Sequence, residues 1–424
     1  MTAEESSDEK MPPNEAETAA SNAAAKMDPE AEPLHAAADP KVKFIGGSET
    51  VDVEKGGEGN AQGISPALTK SELMKYATDP FWVKLRWALF ILFWVGWFAM
   101  LVVSIVIIVM APKCPSPPAK EWWQKRPIYE VYVKSFKDAD DDGNGDLKGV
   151  KSEVDYLSNL GVGSVWLSPI FKSPMKDNGY DVSDYKAVDP AFGTMDDFKA
   201  LVEDLHSKDI KLIMDFIPNH SSDQHEWFQK SVKKEAPYTD YYVWADGKNG
   251  GPPSNWQSVF GGSAWTFNQE RGQYYLHQFY KEQPDLNLRN DAVVKELEDV
   301  MKFWLDQGVD GFRVDSVGNF FENEANEDED GSGEYKDFAN HDKTFDLPEV
   351  LDLLKKFRKV LDDATGEGTP KIMMTEAYMS ADKLARYYGE LANQIGDISQ
   401  MPLNFNLLSD FGTKESLTAT KVIE

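Results

Sequence analysis

From residue 128 onward the chain alternates short apolar runs with longer windows whose apolar positions recur every three to four residues. The runs are IYEVYV, SVWLSPIF, IKLIMDFIP, GFRVDSV and KIMMTEAY. The windows are LKGVKSEVDYLSNLG, TMDDFKALVEDLHSKD, DAVVKELEDVMKFWLDQG, LPEVLDLLKKFRKVLDD and DKLARYYGELAN. Runs of this length predict strands, and the 3.6-residue period predicts helices between them. Such alternation builds βαβ units on a parallel sheet. A sixth strand is expected from Met401 in MPLNFNLL. A closed barrel takes eight strands, so residues 128–424 are read as an α/β fold, an incomplete (β/α)8 barrel. A long aromatic insert, about residues 221–290, follows the third run. Loops of that length usually serve a function.

The opposite pattern precedes this region. Residues 87–111, WALFILFWVGWFAMLVVSIVIIVMA, carry no charge. At about 1.5 Å per residue they span roughly 37 Å of helix, enough to cross a hydrocarbon core of about 30 Å with some tilt. Trp82 and Trp87 at one end, and Trp122 and Trp123 beyond the other, are placed as interfacial belts. Residues 65–86 are a juxtamembrane segment and 112–127 an outer neck. Residues 1–64, rich in Ala, Glu, Asp and Pro, cannot bury enough apolar surface to order themselves and are expected to be a disordered acidic tail. The first 40 residues hold no apolar run, so no cleaved leader is expected. Lys and Arg flank both ends of the apolar stretch, which leaves orientation open by charge. A short tail before a large folded domain fits a signal anchor, N-terminus cytoplasmic and C-terminus outside, at the plasma membrane.

A net charge of -28 argues against nucleic-acid binding, which needs clustered cations. The one cysteine, Cys114, allows no disulfide within the chain. Beyond an apolar segment it is a free or lipidated thiol, or a bridge to another chain.

Candidate chemistry sits at the expected strand ends. In KDADDDGNGDLKG, Asp138, Asp140, Asp142, Asn144 and Asp146 alternate on a tight turn, a donor pattern suited to Ca2+; the alternative is a solvated acidic turn. The third strand runs into Asp215, Asn219 and His220, with His220 either a substrate donor or a structural histidine. Asn219-His220-Ser221 matches a glycosylation sequon but is expected to be inaccessible. In GFRVDSV, Arg313 and Asp315 lie two apart and share a face. They form either a structural ion pair or a carboxylate nucleophile with its counter-charge. Glu376 ends the next strand. Two carboxylates about 5–5.5 Å apart, one ionised and one protonated, are the equipment of a retaining glycosidase.

These blocks, with DNGYDVSDY, VDPAFGTMDDF and QPDLNLRN, resemble the α-glucosidases of the α-amylase superfamily, of the maltase and oligo-1,6-glucosidase kind. The resemblance runs from about Trp122 onward. It implies Asp315 as nucleophile and Glu376 as acid/base. It implies His220, Arg313, Asp177 and Tyr180 as substrate contacts, Asp138–Asp146 as a calcium site, and the insert as domain B. The family's third carboxylate stands in an Asn-His-Asp block after the seventh strand, which this sequence does not reach. A chain ending at Glu424 is therefore expected to hydrolyse little. Asn340-His341-Asp342 occurs out of order, between the nucleophile and acid/base blocks, and is read as coincidence.

Residues 65–125 resemble the membrane anchor of the heavy chains of heteromeric amino-acid transporters. That resemblance implies a polytopic transporter light chain as partner, bridged at Cys114. The expected role is a trafficking and stabilising heavy chain with an α-glucosidase-like head. The alternative is a membrane-anchored α-glucosidase acting on α-1,4 bonds with retention.

Overall fold

The computed structural model describes residues 70–112 and 119–406, apart from 339, 367, 390, 393 and 394. The 1–64 tail and Cys114 lie outside them. The chain divides into two units, Met1–Cys114 and Pro115–Glu424.

In the first unit a short helix, Lys70–Thr78, precedes a 31-residue helix, Pro80–Met110. The long helix begins at Pro80 rather than Trp87. Asp79 caps it by accepting from the Phe81 amide at 2.8 Å, and Pro80 is preset for the first helical position. The charge-free stretch marked the apolar segment, not the helix, whose first turns carry Lys84 and Arg86. Its mean hydropathy is 2.7 and none of it is buried. At about 1.5 Å per residue it is long enough to cross a bilayer, and its apolar surface runs all round, as a lipid-facing helix requires.

The second unit is built on six parallel strands: Ile128–Val131, Ser164–Leu167, Lys211–Phe216, Gly311–Val314, Ile372–Glu376 and Met401–Leu403. They neighbour one another in chain order, as successive βα repeats do in a barrel wall. The helices Met195–Ser207, Asp291–Asp306 and Glu349–Thr365 bury their apolar stripes against the outside of the sheet, through Leu201, Leu297, Trp304 and Phe357 among others. A smaller cluster gathers Ile213, Ile372 and Met374 with Trp123. Trp123 is buried there, and Trp122 Nε1 donates to the Pro370 carbonyl at 2.8 Å. These two tryptophans pack against the barrel and are not an interfacial belt.

Two predicted helices are shorter than their periodicity indicates. The first breaks at Glu153 into Leu147–Ser152 and Val154–Leu160. Ser152 Oγ donates back to the Gly149 carbonyl, a local bond that bends helices. The last is helical only over Ala381–Ala385 and gives way to a 3-10 turn ending at Gly389, whose φ is +73°.

The insert contains the helix Glu226–Val232 and a three-stranded antiparallel sheet, with Gln273–Leu276 between Trp244–Ala245 and Trp265–Asn268. Trp256 stacks on Trp265 at 5.5 Å in its core. A second excursion, 315–348, docks on it. Asn255 exchanges side-chain and backbone hydrogen bonds with Glu329, and Trp256 Nε1 donates to the Glu327 carbonyl.

Candidate active site

The parallel register sets Arg313 beside Asp215 on one neighbouring strand and beside Met374 on the other. The guanidinium therefore reaches carboxylates from three strand ends. Nη1 donates to Asp215 Oδ1 at 2.5 Å and to Asp315 Oδ1 at 2.6 Å, and Nη2 lies 2.8 Å from Glu376 Oε2. All four side chains are buried. Burial works against the guanidinium, but the three carboxylates outweigh it and hold Arg313 firmly charged. The rings of Trp166 and Tyr180 lie 5.2 and 5.8 Å from its Cζ. Among the described residues, buried Arg313 Nε has no hydrogen-bond partner.

Glu376 differs from an ordinary carboxyl. Burial, then the neighbouring Asp315, push it up to about 7, against the pull of Arg313. The Ser316 amide donates to its Oε2 at 3.0 Å. Ser316 adopts a left-handed backbone, φ +47°, sparsely allowed for a side chain with Cβ. The turn brings the residue after Asp315 back toward Glu376. Asp215, fully enclosed, is likewise raised to about 7 by burial, and Trp166 Nε1 donates to its second oxygen.

A cavity of about 690 Å³ opens beside these groups, lined also by Asp177, Tyr180 and His220. All six residues assigned from sequence to catalysis or sugar binding thus meet in one place. Burial lowers His220, which is accordingly neutral. Gln283, missed from sequence, lies between two of them: its Nε2 donates to Asp177 Oδ2 at 2.9 Å and is 3.1 Å from His220 Nε2. It stands in the QPDLN block, next to a proline at which the chain turns back toward the barrel. Asp181 was missed as well. It is fully buried, and its oxygens accept from the amides of Lys176 and Asp177 and from Ser173 Oγ, holding the turn that presents Asp177. Asn219 is buried and donates to Asp285 Oδ1, which leaves its sequon closed to modification in the folded domain.

Asn340 and His341, read as coincidental, line the same cavity, with Tyr335 and Tyr378. No pattern in the acidic, glycine-rich stretch before them signals this, because it follows from the docking of that loop on the insert.

In the acidic turn, Asp138, Asp140 and Asp146 bring carboxylate oxygens within 4.8 Å of one another. Asp142 is not in that group; its Oδ1 accepts from the Asn144 amide at 2.7 Å. Desolvation, then the neighbouring Asp142, raise Asp140, whereas the Gly143 amide, donating to Asp138, lowers Asp138. Three hard oxygen donors at this spacing fit a calcium ion.

The fold and the strand-end carboxylates define a class. The chain belongs to the α-amylase family: residues 130–422 match its catalytic domain, described as Alpha amylase, catalytic domain. Residues 50–129 match a second family, described as Solute carrier family 3 member 2 N-terminus. Among individual proteins it is similar to an alpha-glucosidase of Culex pipiens, 48% identical over 312 residues, covering 72% of this chain and 53% of the relative. It is also similar to the amino acid transporter heavy chain SLC3A1 of Homo sapiens, 43% identical over 351 residues, covering 78% and 50%. Among solved structures, trehalose-6-phosphate hydrolase of Bacillus licheniformis superposes with a TM-score of 0.62 at 37% identity, over 69% of this chain and 51% of that one. The chain spans about half the length of these relatives.

Proposed function

We propose that this protein is the membrane-anchored heavy chain of a heteromeric amino-acid transporter, with an α-glucosidase-type head. The observation that carries the reading is the order of the two family matches: a solute-carrier N-terminus containing a membrane-length helix runs directly into an α-amylase catalytic domain. In this reading the N-terminus is cytoplasmic and the head lies outside the plasma membrane. The partner is a polytopic light chain, held by the Pro80–Met110 helix and a disulfide at Cys114. Affinity purification from detergent-solubilised membranes tests it. A polytopic amino-acid transporter is the expected companion in mass spectrometry. Recovery of the chain from the cell surface without one contradicts the reading.

A second reading concerns the head itself, and the meeting of Asp315 and the raised Glu376 in one cavity supports it. Asp315 acts as nucleophile on the anomeric carbon of an α-glucoside, forming a glycosyl ester as the C–O bond to the leaving group breaks. Glu376, protonated near neutrality, gives its proton to the departing oxygen. It then takes a proton from the water that cleaves the ester, so that configuration is retained. Asp177, Tyr180 and His220 hold the glucosyl ring. A 5-fluoro-α-glucosyl fluoride, which needs no acid to depart, is expected to label Asp315. An unlabelled protein, or one labelled equally as Asp315→Asn, contradicts the assignment.

Calcium at Asp138, Asp140 and Asp146 has a structural part in this scheme. It neutralises the crowded carboxylates of the turn that precedes the helix Leu147–Ser152.

A further inference from the structure

The Asn340-His341 pair is accounted for by none of these roles. His341 is held by two side chains. Glu329, itself buried, uses one oxygen to accept from Thr344 Oγ1 at 2.7 Å and the other to contact His341 Nδ1 at 2.9 Å. Tyr335 lies flat on the imidazole, with ring centroids 3.7 Å apart and planes within 6°. The loop that carries Glu329 is in turn fixed to the insert through Asn255. A side chain fixed this way has lost its rotamer freedom before any ligand arrives, which lowers the cost of binding.

The carboxylate contact also fixes the tautomer. Nδ1 donates to Glu329, so in the neutral ring Nε2 carries a lone pair. Among the described residues Nε2 has no hydrogen-bond partner. His341 lines the cavity that holds Asp315 and Glu376. The cavity deepens toward His220 and Arg313, which are almost fully enclosed, and opens toward Tyr378, which is 58% exposed. His341, with 16% of its side chain exposed, and the exposed Asn340 are less enclosed than Asp315 and Glu376. The volume, about 690 Å³, lies within the range of pockets that enclose ligands larger than one sugar ring. A glucosyl ring at the closed end therefore leaves the His341 side for the group on the far side of the glycosidic oxygen.

We infer that His341, aimed by Glu329 and Tyr335, is a specificity-determining residue that accepts a hydrogen bond from a hydroxyl of the second sugar unit. The role selects a glycosyl leaving group over one without hydroxyls. It rests on the α-glucoside reading of the site, and the test separates the two.

Calorimetric titrations of the full chain in detergent compare methyl α-D-glucoside with a methyl 4-thio-α-maltoside, which is not hydrolysed. His341→Phe keeps the stack on Tyr335 and removes the acceptor; His341→Gln offers a side-chain oxygen in its place. The thiomaltoside is expected to bind His341→Phe about three- to tenfold more weakly, the worth of one neutral hydrogen bond. The monosaccharide is expected to bind it within twofold of the parent, and His341→Gln to recover most of the loss. Equal weakening of both ligands assigns His341 a structural role and overturns the inference, as does no weakening of either. A parent protein that binds neither sugar overturns the α-glucoside reading and the inference with it. Should His341→Phe melt well below the parent, His341→Gln decides alone: it must bind the thiomaltoside at least as well, relative to methyl glucoside, as His341→Asn, whose shorter amide falls short of the cavity.

Discussion

Replacing Arg313 with methionine removes the single cation that three buried carboxylates share. The side chain keeps much of its volume, so the principal loss is charge. Breaking a buried ion pair from one side costs about 3–5 kcal/mol, because the remaining charge is left uncompensated. The described residues of the second unit, within 119–406, number roughly 280. At about 2.1 cal/mol/K per residue its unfolding entropy is near 0.6 kcal/mol/K, so the expected fall in melting temperature is about 5–8 °C. The pH dependence distinguishes this cause from lost packing. Asp215 and Glu376 are raised to about 7 in the folded protein even with Arg313 present, while carboxyls in an unfolded chain titrate near 4. Groups raised on folding contribute stability that is complete below about pH 4 and is lost as pH rises through about 7. Arg313 limits that loss by favouring the ionised forms. The gap between parent and Arg313→Met should therefore be widest near pH 8 and narrow toward pH 4.5. Differential scanning fluorimetry across that range measures it. A gap under about 1 °C at pH 7.5, or one that widens as pH falls, refutes the reasoning.

If Glu376 is the proton donor, kcat/KM toward an alkyl α-glucoside, though expected to be low for this chain, should fall as pH rises through about 7. Glu376→Gln should remove that limb and cut the rate by about 10²–10⁴, with a smaller effect on an activated aryl leaving group; an unchanged limb sinks the assignment. A calcium chelator should lower the melting temperature of the head by about 4–5 °C if the ion is present at about 100 times its dissociation constant, a stabilisation near 2.7 kcal/mol. Asp140→Asn should abolish most of that shift, and a chelator without effect on the parent argues against a bound ion. Gln283→Leu should weaken methyl α-D-glucoside binding several-fold by freeing Asp177 and His220, which calorimetry reads directly.

Much of the barrel was legible because each strand is a short, largely apolar run. Asp215, Arg313, Asp315 and Glu376 were visible one strand at a time. What the sequence does not carry is that Arg313 reaches three carboxylates at once, since that contact depends on the register between strands. The loop 315–348 was the largest omission. Its acidic and glycine-rich residues carry no periodic pattern, and bonds from Asn255, Trp256, Gly262 and Gln278 fold it back over the cavity. Similar local competition decided the acidic turn. Alternation marks four carboxylates from Asp138 to Asp146 beside Asn144, but Asp142 turns to the Asn144 amide and leaves three carboxylates converging. The tryptophans after the apolar helix were misread because an interfacial and a core tryptophan look alike in sequence.

The heavy-chain account is tested most directly at Cys114. Membranes expressing the chain are solubilised with a thiol-blocking reagent and run on a non-reducing gel beside the same sample reduced. A band heavier than the chain by the mass of a polytopic transporter is predicted, collapsing to the single chain on reduction and missing in Cys114→Ser. A parent that runs as a single chain without reductant, or a heavy band that persists in Cys114→Ser, contradicts the account.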